Sequence, residues 1–126
     1  MTTPPIKTQR QIRGNSAEAL ARSHLIHQGL DFFQANFRCK TGEIDLIFWD
    51  QQTLVFVEVR FRQDLSHGSP LDTITLAKQR KIKRAAQFFL QGQFGDHWPP
   101  CRFDVVGISG QLGSDPTVDW IQHAFY

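Results

Sequence analysis

At 126 residues, with 40% hydrophobic and 21% charged residues, the chain has ordinary globular usage and the size of one domain, which excludes fibrous or wholly disordered classes. The formal net charge of +2 excludes a general polyelectrolyte. Lys78, Arg80, Lys81, Lys83 and Arg84 nevertheless crowd into one short run, and a local cation cluster suits an anionic partner.

Residues 1–13, with Pro4, Pro5, Lys7, Arg10 and Arg13, show no periodicity and read as a mobile basic arm, leaving 14–126 as a single domain. They hold no apolar leader region, and no run of about 18 apolar residues occurs further along, so a cytoplasmic protein without a membrane partner is expected. Asn15 and Glu18 have capping-box spacing. Ala17, Leu20, Ala21, His24 and Leu25 then recur at helical intervals until Gly29, which predicts a helix over 15–28. Asp31–Arg38 is a candidate strand. Cys39 and Cys101 make no CxxC pair, so neither a zinc ribbon nor a redox motif is available and both are expected to be reduced thiols.

Glu43–Trp49 and Thr53–Phe61 are β-branched and aromatic runs separated by Asp50-Gln51-Gln52, the pattern of a hairpin. Residues 62–71, with Gly68 and Pro70, form a loop, after which Asp72 or Thr73 caps a second helix ending near Gln91, before Gly92. On that helix Ile74, Ala77, Ile82, Ala85, Phe88 and Phe89 fall along one stripe, with Lys78 and Lys81 in the same sector. Lys78 either packs its stem and sends its ammonium to water or meets a phosphate. Arg102–Ser109 is a further strand, 110–116 a turn, and Thr117–Phe125 a last extended segment. The order α-β-β-β-α-β predicts an α/β domain, a mixed and mostly four-stranded sheet flanked by two helices, with one extra strand left open.

A two-residue turn at Gln51-Gln52 sets Asp50 opposite Thr53. Asp45 then faces Glu58 and Glu43 faces Arg60, all four on one side of the ribbon, while Ile44, Leu46, Phe48, Val55, Val57, Val59 and Phe61 take the other. A four-residue loop preserves this register and a three-residue loop destroys it. Gln-Gln is not a favoured two-residue turn. Directly opposed carboxylates repel, and a divalent ion such as Mg²⁺ would relieve them while polarising a phosphodiester. The structural alternative is a plain Glu43–Arg60 ion pair, with Asp45 accepting hydrogen bonds at the sheet edge.

The strings Gly42-Glu43-Ile44-Asp45-Leu46-Ile47 and Val55-Phe56-Val57-Glu58-Val59-Arg60 closely resemble the YraN-like family, which is placed in the PD-(D/E)xK restriction-endonuclease-like superfamily. The resemblance extends to Gly14-Asn15-Ser16-Ala17-Glu18, Lys78, Arg102-Phe103-Asp104-Val105-Val106 and Ala124-Phe125. It implies a restriction-endonuclease-like αβββαβ core. Its nearest mechanistic relatives are Holliday-junction resolvases, in which a helix Glu, a strand Asp and a Glu-x-Lys surround Mg²⁺. The matching positions are Glu18, Asp45, Glu58 and Arg60.

The resemblance implies a metal-dependent endonuclease for structured or branched DNA, with a place in DNA repair or recombination. Mg²⁺ or Mn²⁺ would be held by Asp45 and Glu58, helped by Glu18 through water and by the Val59 carbonyl. Arg60, Lys78 and Lys81 would bind nucleic acid. One departure stands out: Arg60 occupies the usual Lys position. A guanidinium stays protonated and is a poor general base, but it can grip a phosphate through two parallel hydrogen bonds. Two alternatives stay open, a non-catalytic nucleic-acid-binding module of the same fold and a protein-interaction domain, and so does a homodimer. His24 and His27 lack an HExxH context and are not expected to bind metal. His67 is an ordinary loop histidine and Asp104 is read as structural.

Overall fold

The computed structural model describes residues 9–62, 69–110 and 115–126, with 9–15 as backbone only. In chain order it holds α1 (Gln9–His27), β1 (Asp31–Cys39), β2 (Gly42–Asp50), β3 (Thr53–Arg62), a 3₁₀ turn (Pro70–Thr73), α2 (Leu76–Phe94), β4 (Cys101–Ser109) and β5 (Thr117–Phe125). The strands form one sheet in the order β1-β2-β3-β4-β5. All neighbours are antiparallel except β3 and β4, which are parallel because a helical crossover joins them. The extra strand is therefore real, and the sheet has five strands rather than mostly four. This is an α/β fold consistent with a restriction-endonuclease-like core.

The two helices cover opposite faces. Ala17, Ala21 and Leu25 of α1 pack on Leu46, Phe48, Val55, Val57, Val106 and Ile108. Ala85, Ala86, Phe89 and Leu90 of α2 pack on Ile44, Ile47, Leu54 and Phe56. Leu54-Val55-Phe56-Val57 is thus buried on both sides, as expected of a central strand with a parallel neighbour. The α2-facing side of β3 is accordingly apolar up to Phe56 and turns polar only at Glu58 and Arg60.

Two helix starts differ from the expectations. α1 begins at Gln9, so Asn15 lies inside the helix and not at its cap; Gln9–Arg13 are mostly good helix formers and extend it backward. Residues 1–8 lie outside the described residues. The other end is where expected: Gly29 takes φ 96 and the Leu30 N–H donates to the Leu25 carbonyl, a left-handed stop that glycine suits. Ser69 caps the 3₁₀ turn, with Asp72 at its third position completing the capping box by accepting the Ser69 N–H, and Thr75 caps α2 by accepting from the Lys78 N–H. α2 passes through Gly92 and ends at Gly95. Its buried stripe is Ile82, Ala85, Ala86, Phe89 and Leu90, a regular helical face, whereas Ala77, Lys78, Lys81 and Phe88 are exposed. The 3₁₀ turn docks on β4 at Gly107, where any side chain would collide with Pro70.

One irregularity positions the site. Ala35 pairs with Leu46 on the α1 side, but Phe37 pairs with Ile44 on the α2 side. Residues two apart on a regular strand share a face, so the alternation inverts at Asn36 and Asp45, which lie between these pairs. Asn36 has φ 55, a left-handed conformation that asparagine tolerates. Ile44 consequently lies on the α2 layer and not beside Leu46 and Phe48 as the simple alternation expected.

Candidate functional site

β2 and β3 pair from Asp50↔Thr53 to Leu46↔Val57, the register expected from a two-residue turn. Gln51 supplies the left-handed conformation this turn needs, with φ 56. Beyond Leu46 the ladder gives way to a side chain. Asp45 Oδ2 accepts the backbone N–H of Val59 at 2.8 Å, so the carboxylate turns toward β3, where its carboxyl shares a hydrogen bond with that of Glu58. Arg60, two residues along the same strand, places a guanidinium nitrogen 3.2 Å from Glu58 Oε1; the two side chains are only 23% and 14% exposed.

This grouping holds protons tightly. Burial, then the Asp45 charge, push Glu58 up to about 8, with Arg60 opposing. Burial also raises Asp45, against the lowering pull of the Val59 N–H. Glu18, on α1, is raised by burial and then by the charges of Asp45 and Glu43, with Arg38 opposing. It lies close enough to feel the pair, although among the described residues no three His, Cys, Asp or Glu side chains converge as a ligand group. Two acids that share a proton in a half-dry recess at neutral pH have a strong demand for positive charge. The Nε of Arg60 is buried without an acceptor, an unspent donor directed by the same strand.

Glu43 does not meet Arg60. It pairs with Arg38 across β1 and β2 at 3.4 Å, largely in solvent, because the inversion at Asp45 turns Glu43 away from β3. Lys78 and Lys81 lie on the exposed side of α2. The Lys81 turn still abuts the start of β2, since a Cβ on Gly42 would sit 3.1 Å from the Lys81 carbonyl oxygen. His24 packs edge-on against Trp120, with ring centroids 6.4 Å apart, His27 is exposed, and His67 lies outside the described residues.

A second polar cluster escaped the sequence reasoning in its detail. Asp104 is fully buried and accepts from Arg102, from Trp120 Nε1 at 2.9 Å and from the His123 N–H at 2.9 Å. Arg102 also reaches Asp50 at 2.8 Å. The signal was present: a carboxylate inside an apolar strand run must be supplied with donors. Its saturation with protein donors marks it as a clasp between β2, β4 and β5.

The fold and the acidic pair define an α/β protein whose sheet carries two proton-sharing carboxylates and an arginine at the end of its central strand. The chain belongs to the uncharacterised protein family UPF0102, whose profile matches residues 17–108. It is similar to UPF0102 proteins from Stutzerimonas stutzeri (44% identical over 120 residues, 94% of this chain and 98% of the relative), Nitrosococcus oceani (46% over 113 residues, 90% of each) and Saccharophagus degradans (49% over 113 residues, 89% and 91%).

Proposed function

We propose that this chain is a divalent-metal-dependent nuclease of the PD-(D/E)xK type, acting in the cytoplasm on phosphodiester bonds of structured or branched DNA. The observation that carries the reading is the Asp45–Glu58 pair, two half-buried carboxyls brought together at the end of an otherwise apolar stretch of sheet. Such a pair is costly to a fold unless a cation uses it.

The donor set fits a hard cation: two carboxylates, with waters and substrate phosphate to complete the shell. A bound Mg²⁺ or Mn²⁺ supplies Lewis-acid polarisation of the phosphodiester and a more acidic water. The chain's own residues do the rest. The Val59 N–H fixes the rotamer of Asp45. Glu58 releases its proton as positive charge arrives. Arg60, drawn from Glu58 toward the incoming phosphate, offers a two-pronged grip and stays charged throughout. Glu18 supports the site from α1 through solvent. Lys78 and Lys81 lie on the flank along which a polyanion would run.

Incubating wild type, Asp45→Ala and Glu58→Ala with branched DNA across a Mg²⁺ and Mn²⁺ titration tests this. Metal-dependent cleavage lost in both variants is the expected result, and no cleavage by wild type at any metal concentration overturns it. A second reading is a binding module of the same fold that does not cut. The Arg60–Glu58 ion pair favours it, since Arg60 occupies a carboxylate that the metal needs; salt-sensitive binding without cleavage is its signature. No helix among the described residues is long and apolar enough to cross a membrane.

A further inference from the structure

The outer face of α2 carries a feature that the carboxylate site does not use. Phe88 and Trp98 are 55% and 45% exposed and line one open groove of about 340 Å³ with Thr41, Arg84, Gln87 and Gln91. Trp98 donates its indole N–H to the Gly95 carbonyl at 2.7 Å. Its polar end is thereby satisfied within its own loop, and the ring is left as an apolar plate.

We propose that this groove is a stacking site for the unpaired bases of a nucleic-acid strand. The inference rests on the nuclease reading and names the part of the substrate that is gripped outside the cutting site. Aromatic plates, amides and cations together are what a single strand needs: stacking that accepts any base, hydrogen bonds to base edges, and charge for the phosphates. α2 supplies the charge, for it contains no acidic residue, and Lys78, Arg80, Lys81 and Arg84 on it are exposed. A second copy of the chain is disfavoured as the occupant, because self-pairing would set these cations against one another. Thr41, which lines the groove from the turn before β2, precedes Asp45 by four residues, at most about 13 Å of extended chain at ~3.3 Å per residue, so a strand in the groove lies within a few nucleotides of the carboxylates.

Fluorescence anisotropy with a short labelled oligothymidylate, and with a duplex of matched length, in chelator without metal, tests the proposal free of cleavage. Wild type is expected to bind the single strand more tightly than the duplex. Phe88→Ala and Trp98→Ala should each lose about tenfold in affinity, the scale of one stacked base. Trp98→Phe should keep most of the affinity but lose the quenching of tryptophan fluorescence that stacking produces. Unchanged single-strand affinity in both alanine variants overturns the proposal, as does a preference for duplex or a dimer in light scattering that either variant abolishes. Asp45→Asn separates the two readings: it should bind the oligothymidylate as wild type does while cutting nothing. A protein that binds through the groove but never cuts sinks the nuclease alone.

Discussion

The carboxylate of Asp45 leaves its own strand and accepts the backbone N–H of Val59 at 2.8 Å, taking up a donor just past the last paired residues, Leu46 and Val57. That bond carries the Asp45 carboxyl to Glu58 and makes the two acids one titrating unit, whose removal, protonation and neighbouring charge each have a measurable effect.

Asp45→Ala and Glu58→Ala should each reduce metal-dependent cleavage of branched DNA by at least ~100-fold, the upper range for loss of a group that merely supports a ligand. Gel-resolved product over a Mn²⁺ series checks this. Residual activity near wild type in either variant would exclude that carboxylate as a ligand.

Without metal, stability should fall with rising pH. In the unfolded chain Glu58 titrates near its ordinary 4.5, and in the folded chain near 8. Between these values the folded state keeps a proton that the unfolded state has released, so the stability that Glu58 contributes is fully present below about 4.5, declines toward 8 and is lost above it, on the order of a few kcal/mol. Glu58→Gln should flatten the decline and raise stability at pH 8. Urea denaturation at a series of pH values reads this out; stability rising across the window would contradict it.

Arg60→Ala should weaken nucleic-acid binding irrespective of sequence and lower the slope of log affinity against log salt by about one, as expected of a lost phosphate contact. Arg60→Lys should restore the slope but not the full affinity, because an ammonium lacks the guanidinium fork. Binding isotherms at several salt concentrations decide this, and an unchanged slope in Arg60→Ala would remove the residue from the phosphate grip.

Asp104→Ala should destabilise the fold by about 3–5 kcal/mol, the range for stripping one partner from a buried ion pair. It leaves Arg102 with Asp50 alone and removes the acceptor of the Trp120 and His123 N–H groups. The urea midpoint should drop at constant m-value. A loss below about 1 kcal/mol would show that the clasp is dispensable.

Much of the fold was legible in the residues. The strand runs, the helix stop at Gly29, the hairpin register and the closeness of Asp45 to Glu58 arise from period-two alternation and turn length, both local properties. Caps were harder: Asp72 and Thr75 are both good capping residues, and only docking of the 3₁₀ turn on Gly107 separates a short turn from the helix after it. Lys78 was misplaced on the packed stripe because Ile82 and Leu90 define a face rotated from the one that Ala77 and Phe88 suggested.

By itself the sequence determined the class of fold, the strand pairing that brings two acids together, and an arginine two residues beyond Glu58 on the same strand. Only the tertiary structure decided the aim of these side chains. Alternation assigns a residue to a face, but the inversion at Asn36 and Asp45 depends on two strands twisting together, and it sends Glu43 to Arg38 while turning Asp45 to Val59. The burial that raises Glu58, and the reach of Arg102 on β4 to Asp50 on β2, likewise arise from elements far apart in the chain, whose meeting no local pattern encodes.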